Sequence, residues 1–147
     1  MHLAQLNIAT AKFPLDAPEI KDFVDNLEPV NLLAENSDGF VWRLKDESGD
    51  ATAIKIFDDP NIIVNMSVWT SPDALKHFMF KTHHRDFLSR KKEWFDALPE
   101  QNYVMWWIPK GHIPTLEEAV SKLEFVRKHG DTNQAFTFKR VFDFTSL

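Results

Sequence analysis

The run Ile62-Ile63-Val64-Asn65-Met66-Ser67-Val68-Trp69, followed by Thr70-Ser71-Pro72-Asp73, carries the clearest structural signal in the chain. Ile and Val dominate the first part, which is the composition of a strand. Side chains alternate in direction along a strand. Val64, Met66 and Val68 therefore form a purely apolar face, and Asn65, Ser67 and Trp69 form the opposite one. Ser71 then stands as a helix cap with Pro72 at the first helical position, so a helix follows at once.

The segments before this strand read in the same way. His2 to Thr10 alternates, with Ala4, Leu6 and Ile8 on one side and Leu3, Gln5 and Asn7 on the other, which predicts a strand. Asp16 with Glu19 has the spacing of a capping box, and Pro18 fits a first turn. Ile20, Phe23, Val24 and Leu27 recur at helical spacing, and Pro29 ends or restarts that helix. Asp38-Gly39 marks a turn before a second strand, Phe40 to Leu44. A polar loop tip, Asp46 to Asp50, leads to a weaker extended piece around Ile54 to Phe57, broken at Asp58-Asp59-Pro60.

On the far side, the helix beginning at Pro72 runs toward Leu98. Its apolar face changes from Leu75, Phe78 and Met79 to Phe80, Phe87, Leu88 and Phe95, which predicts a kink near Lys81 to His83. Tyr103 to Ile108 is a further strand, and Thr115 with Glu118 forms a second capping box. The helix after it carries Leu116, Ala119, Val120 and Leu123 on one face, with Gly130 past its end. Phe136, Phe138, Phe142 and Phe144 then share one side of a last strand.

The element order is β-α-β-β-α-β with an extra C-terminal helix and strand, the split βαβ arrangement of ferredoxin-like α+β folds. One domain over residues 1–147 accommodates it. Helices on one face of such a sheet leave the other face bare. Trp42, Trp69 or Trp107 on a bare face would make a large apolar patch. The expected remedy is a homodimer that closes two sheets into a dimeric α+β barrel. In that arrangement the Leu6/Ile8/Val64/Met66/Val68 face lies under the helices, the Asn7/Asn65 face points into the barrel, and the Phe stripe of the tail packs between subunits or against the sheet.

Composition narrows the function. There is no Cys, hence no disulfide framework, thiol nucleophile or thiolate zinc site. No apolar run approaches the roughly 18 residues of a membrane span, and no basic stretch followed by an apolar one opens the chain, so a cytoplasmic protein is expected. A net charge of -5 argues against nucleic acid as partner, because such binding rests on neutralised phosphates. The 13 Phe and 5 Trp beside 4 Gly and 1 Tyr call for a generous core, a ligand cavity or a subunit interface.

No glycine-rich phosphate loop, zinc-protease motif or nucleophile elbow is present. His84 shares a helix face with Phe80, Phe87 and Leu88, which suits a haem axial ligand, a catalytic base or a hydrogen-bonded core histidine. His83 diverges from His84 by about 100° on a helix, so the two do not share a metal, and His77 meets them only across a break. Asn7 and Asn65, set among aromatics, suit a pocket for a flat apolar ligand with one or two polar groups, and equally a solvated or subunit-facing sheet. The run Lys76, Lys81, Arg85, Arg90, Lys91 and Lys92 either steers an anionic ligand or forms a solvated helix face.

Four blocks, Ile62 to Phe78, Thr82 to Leu88, Met105 to Ala119 and Ala135 to Phe138, resemble the domain-of-unknown-function 3291 family. The resemblance implies a dimeric α+β barrel and no established reaction; the superfold includes monooxygenases, isomerases and decarboxylases. The chain also resembles haem-degrading monooxygenases in three places: Asn7 at the end of the first strand, Trp69-Thr70-Ser71 at the strand–helix junction, and Phe80-Lys81-Thr82-His83-His84 on the helix. That likeness implies His84 as proximal haem ligand and Asn7 as distal amide. It departs from the pattern at Phe78, where those enzymes carry a Trp that ruffles the haem.

The resulting expectation is a small monooxygenase-like protein binding a flat aromatic substrate, or haem, between sheet and helices. His84, Asn7 and Asn65 are its expected catalytic residues. Trp42, Trp69, Trp107, Phe78, His83 and Arg85 are its expected substrate contacts. The alternatives are a non-catalytic dimeric binding module for a small apolar ligand and a cofactor-free isomerase or dehydratase.

Overall fold

The computed structural model describes residues 1–45, 62–81, 90, 92–97 and 100–146. Among the described residues its centre is an antiparallel sheet of four strands: β1 (His2–Thr10), β2 (Phe40–Arg43), β3 (Ile62–Trp69) and β4 (Tyr103–Ile108), in the order β2-β3-β1-β4. This is the expected mixed α+β sheet. The Ile54 to Phe57 piece and the kink at Thr82 and His83 lie outside the described residues.

The first connection starts as a 3-10 turn, Pro18–Ile20, capped by no side chain, so Asp16 does not act as the expected N-cap. It continues as α1 (Lys21–Asp25) and α2 (Leu27–Glu35). Pro29 restarts the helix rather than ending it. It occupies the first turn of α2, where a missing N–H costs no helical bond, and the chain breaks at Asn26. Gly39 has φ 84°, and a Cβ there would lie 2.5 Å from the Ala74 Cβ. Glycine thus permits both the turn and the approach of β2 to α3 (Pro72–Lys81). Ser71 Oγ accepts from the Ala74 amide at 3.1 Å, so α3 starts where its cap predicts.

The C-terminal helix α4 (Leu116–His129) is capped by Thr115, whose Oγ1 accepts from the Glu118 amide at 3.1 Å. The Glu118 carboxylate does not complete the box. It accepts instead from Trp106 Nε1 at 2.8 Å and lies 2.7 Å from His112 Nε2. Burial pushes the Glu118 carboxyl up, but those two hydrogen bonds outweigh it and leave the pKa below the ordinary value.

The covering of the sheet differs from expectation. Ala119, Leu123 and Val126 of α4 pack on the face made by Ala4, Leu6, Ile8, Val64, Met66, Val68, Val104, Trp106 and Ile108, and every one of these sheet residues is buried within the single chain. The crossover helices lie on the other face. There, Leu3, Trp69 and Met105 meet Ala34 of α2 and Leu75 and Phe78 of α3. Ile63 meets Ile20 and Trp94 at the opposite end of that face. Within the single chain, described residues cover both faces of the sheet, and the amide face looks toward the crossover helices.

Of its two expected placements, the tail takes the one against its own sheet. Phe136 makes a bridge to Met105, with paired backbone bonds of 2.8 and 3.0 Å, and no strand extends from it among the described residues. Phe136, Phe138 and Phe142 join the apolar cluster of Leu3 and Trp69. Trp107 donates its indole N–H to the Phe142 carbonyl at 2.8 Å. No helix among the described residues is long and apolar enough to cross a membrane.

Candidate functional site

Strand register assembles the polar centre of the amide face. Antiparallel pairing sets Asn7 opposite Asn65, Gln5 opposite Ser67, and Leu3 opposite Trp69. Directly opposed residues on one face bring their side chains into contact. The Gln5 amide donates to Asn65 Oδ1 at 2.8 Å and to Ser67 Oγ at 2.7 Å, and Trp69 Nε1 donates to the same Ser67 Oγ at 2.8 Å. Gln5 and Ser67 are only 8% and 7% exposed, while Asn65 is exposed, so the network runs from the interior out toward solvent.

Apolar clusters flank the quartet at both ends. The Trp69 ring stacks on Phe78 at 5.3 Å and meets Phe40 edge-on at 5.5 Å. At the other end, Phe23 contacts Trp94 at 5.6 Å and Phe95 at 4.9 Å. Helices pack closely where the sheet is apolar. Over the amides, close packing would bury polar groups without partners, which is costly. A cavity of about 500 Å³ remains between sheet and helices. Such a volume suits a small organic ligand. Asn26, Asn31 and Asn102 add carboxamides to its lining, and Arg43, Lys92 and Asp96 add charge. Arg43 is held by Glu35 at 2.9 Å.

The structure brings Asn7, Asn65, Trp69 and Phe78 together on this lining. Trp42 and Trp107 do not join them. A bulge between Phe40 and Trp42 reverses the alternation of β2, placing Phe40 opposite Trp69 on the cavity side and Trp42 opposite Val68 on the α4 side. Trp107 shares the amide face but is taken up by the tail, against Phe136 and Phe144. Its neighbour Trp106 faces α4. His83, His84 and Arg85 lie outside the described residues. Of the basic run, Arg90 pairs with Asp22 and Glu93 and lies over the Trp94 ring, while Lys92 reaches the lining.

Gln5, Ser67, Phe40 and Arg43 are lining residues absent from the expected set. For Gln5 and Ser67 the signal was present: a polar residue inside a strand, in register with Asn7 or Asn65. For Phe40 it was present too, since plain alternation sets it on the face expected for Trp42, whereas for Arg43 the bulge removed it. Among the described residues no group of three or more His, Cys, Asp or Glu could hold a metal ion. The described lining contains no histidine.

The chain superposes on the crystal structure of SnoaB, a cofactor-independent oxygenase from Streptomyces nogalater, with a TM-score of 0.51 and 13% identity, over 78% of this chain and 98% of that one. It is equally similar to a protein of unknown function from Nitrosomonas europaea, with a TM-score of 0.51 and 13% identity over 78% and 95% of the two chains. At this identity the likeness shows a shared fold. No curated protein matches the chain by sequence. A match over residues 2–146 shows that the chain belongs to the family described as domain of unknown function DUF3291.

Proposed function

We propose that the cavity binds a flat aromatic substrate carrying oxygen groups and that the protein is a small monooxygenase-like enzyme. The observation that carries this reading is the polar Gln5–Asn7–Asn65–Ser67 patch, buried at Gln5 and Ser67 and open at Asn65, between two aromatic clusters. Aromatic walls accept a planar ring system, and fixed amides orient its oxygens without titrating. The fold shared with a cofactor-independent oxygenase supports the oxygenase class over other uses of the same cavity. In the cofactor-free version the deprotonated substrate itself passes an electron to oxygen. Asn7 and Asn65 hold the reacting oxygens, Trp69 and Phe78 exclude water, and Asp96 and Lys92 are lining groups able to move a proton. The haem version rests on His84.

The test is oxygen uptake with a panel of phenols and naphthols, run with and without added haem. Uptake without haem, reduced at least about tenfold in Asn7→Ala and Asn65→Ala, is the expected result. A Soret shift on adding haem that His84→Ala abolishes supports the haem version instead. Saturable binding with no turnover overturns the enzyme reading and leaves a binding module. Turnover without oxygen uptake leaves an isomerase or dehydratase with His84 as acid–base. The reading also includes a homodimer, checked by analytical ultracentrifugation.

A further inference from the structure

We propose that Ser67 and Asn65 form a paired hydrogen-bond donor that selects a ligand presenting an anionic or strongly accepting oxygen, a phenolate or carbonyl, toward β3. The inference deepens the cavity reading above and rests on it.

The argument is an inventory of hydrogen-bond valences. A serine hydroxyl has one donor hydrogen and two acceptor sites. An indole N–H can only donate, so Trp69 fixes Ser67 Oγ as acceptor at 2.8 Å. Gln5 takes the second acceptor site at 2.7 Å. The hydroxyl hydrogen must then point elsewhere, and Ser67 lines the cavity while only 7% exposed. The same Gln5 amide donates to Asn65 Oδ1 at 2.8 Å, which turns the Asn65 amide so that its Nδ2 hydrogens remain for another partner. Gln5 therefore consumes acceptor capacity on both neighbours. A face rich in amides, which could have offered donors and acceptors equally, offers donors at these two positions, two residues apart on one strand face. Ser67 is buried while Asn65 is exposed, so the serine hydroxyl carries most of the preference, because a preorganised donor shielded from water stabilises negative charge on oxygen far better than the same group in solution. The pair would bind a phenolate in preference to its phenol and lower the ionisation pH of the bound phenol.

The probe is naphthol, with naphthalene as the oxygen-free control. Naphthol bound to the intact protein is titrated by the absorbance of its naphtholate form. It is expected to ionise at lower pH than free naphthol. Ser67→Ala should bring that ionisation back up by about one pH unit, equivalent to a roughly tenfold loss of naphtholate affinity, because a hydrogen bond to a charged group is removed. Naphthalene affinity should stay unchanged. Ser67→Thr should restore the shift, and Ser67→Cys, which keeps the packing but donates weakly, should behave like the alanine variant if that variant folds poorly. Identical ionisation in the parent and Ser67→Cys overturns the proposal and leaves the cavity reading intact. An equal loss of naphthalene and naphtholate affinity overturns it too, since that marks a packing defect. Absence of saturable naphthol and naphthalene binding overturns both.

Discussion

Truncating Leu123 tests the claim that α4, and not a second subunit, closes the apolar face of the sheet. Leu123 is 1% exposed, between Ala119 and Val126 on the buried side of α4. It packs in the cluster of Leu6, Val104 and Trp106. The helix is held at both ends, by the Thr115 cap and by the Gly130 amide bonded to the Val126 carbonyl at 2.9 Å. With its ends fixed, the helix can sink little into a void left by Leu123→Ala. A buried Leu→Ala change costs about 2–5 kcal/mol, the upper part of which applies where the site cannot collapse. A loss of about 3 kcal/mol is expected, equivalent to ~10 °C in Tm for a chain of this length. Urea unfolding followed by tryptophan fluorescence measures it, with sizing in parallel. The midpoint should fall with the slope unchanged, and the oligomeric state should not alter. A loss below about 1 kcal/mol, or a loss that shows only as a change in oligomeric state, would refute the assignment of that face to α4.

Two further outcomes follow from local geometry. Gly39→Ala places a Cβ 2.5 Å from the Ala74 Cβ and 2.7 Å from Thr70 Oγ1 at a φ of 84°, so the β2–α3 contact must shift. A loss of at least about 1 kcal/mol in thermal unfolding is expected, and a neutral variant would show that the approach is not tight. Glu118 supplies a pH dependence. Its folded-state pKa lies below the ordinary carboxylate value, so its contribution to stability is present above that ordinary value and is lost as pH falls through the depressed one. Glu118→Gln should therefore lose less stability than the parent between about pH 6 and about pH 3, measured by urea midpoints; parallel pH profiles would contradict it.

Local pattern was a good guide to elements and a poor one to their placement. β3 runs from Ile62 to Trp69 as its composition predicts, and the caps at Ser71 and Thr115 open helices where expected. Asn7 and Asn65 could be placed on comparable faces because period two persists through β1 and β3. The same logic failed for Trp42. One inserted residue in β2 reversed the alternation, and nothing in Phe40-Val41-Trp42 announces a bulge. The Glu118 carboxylate was misread for a related reason. Its capping-box partner is local, but the competing Trp106 donor comes from β4 and is visible only in three dimensions.

Alternation along β1 and β3 already shows one apolar sheet face and one interrupted by amides, and the Ser71-Pro72 start shows that Trp69 ends a strand just before a helix. Periodicity and capping are local properties, so they can be read from neighbours along the chain. What covers each face is settled by packing in three dimensions. Both faces offer apolar residues, and periodicity does not say whether the crossover helices, the C-terminal helix or a second subunit will bury them. Packing gave α4 the purely apolar face and α1 to α3 the amide face. That choice turns a row of strand amides into the floor of a cavity, because the helices cannot pack down onto Gln5, Asn7, Asn65 and Ser67 without stranding polar groups.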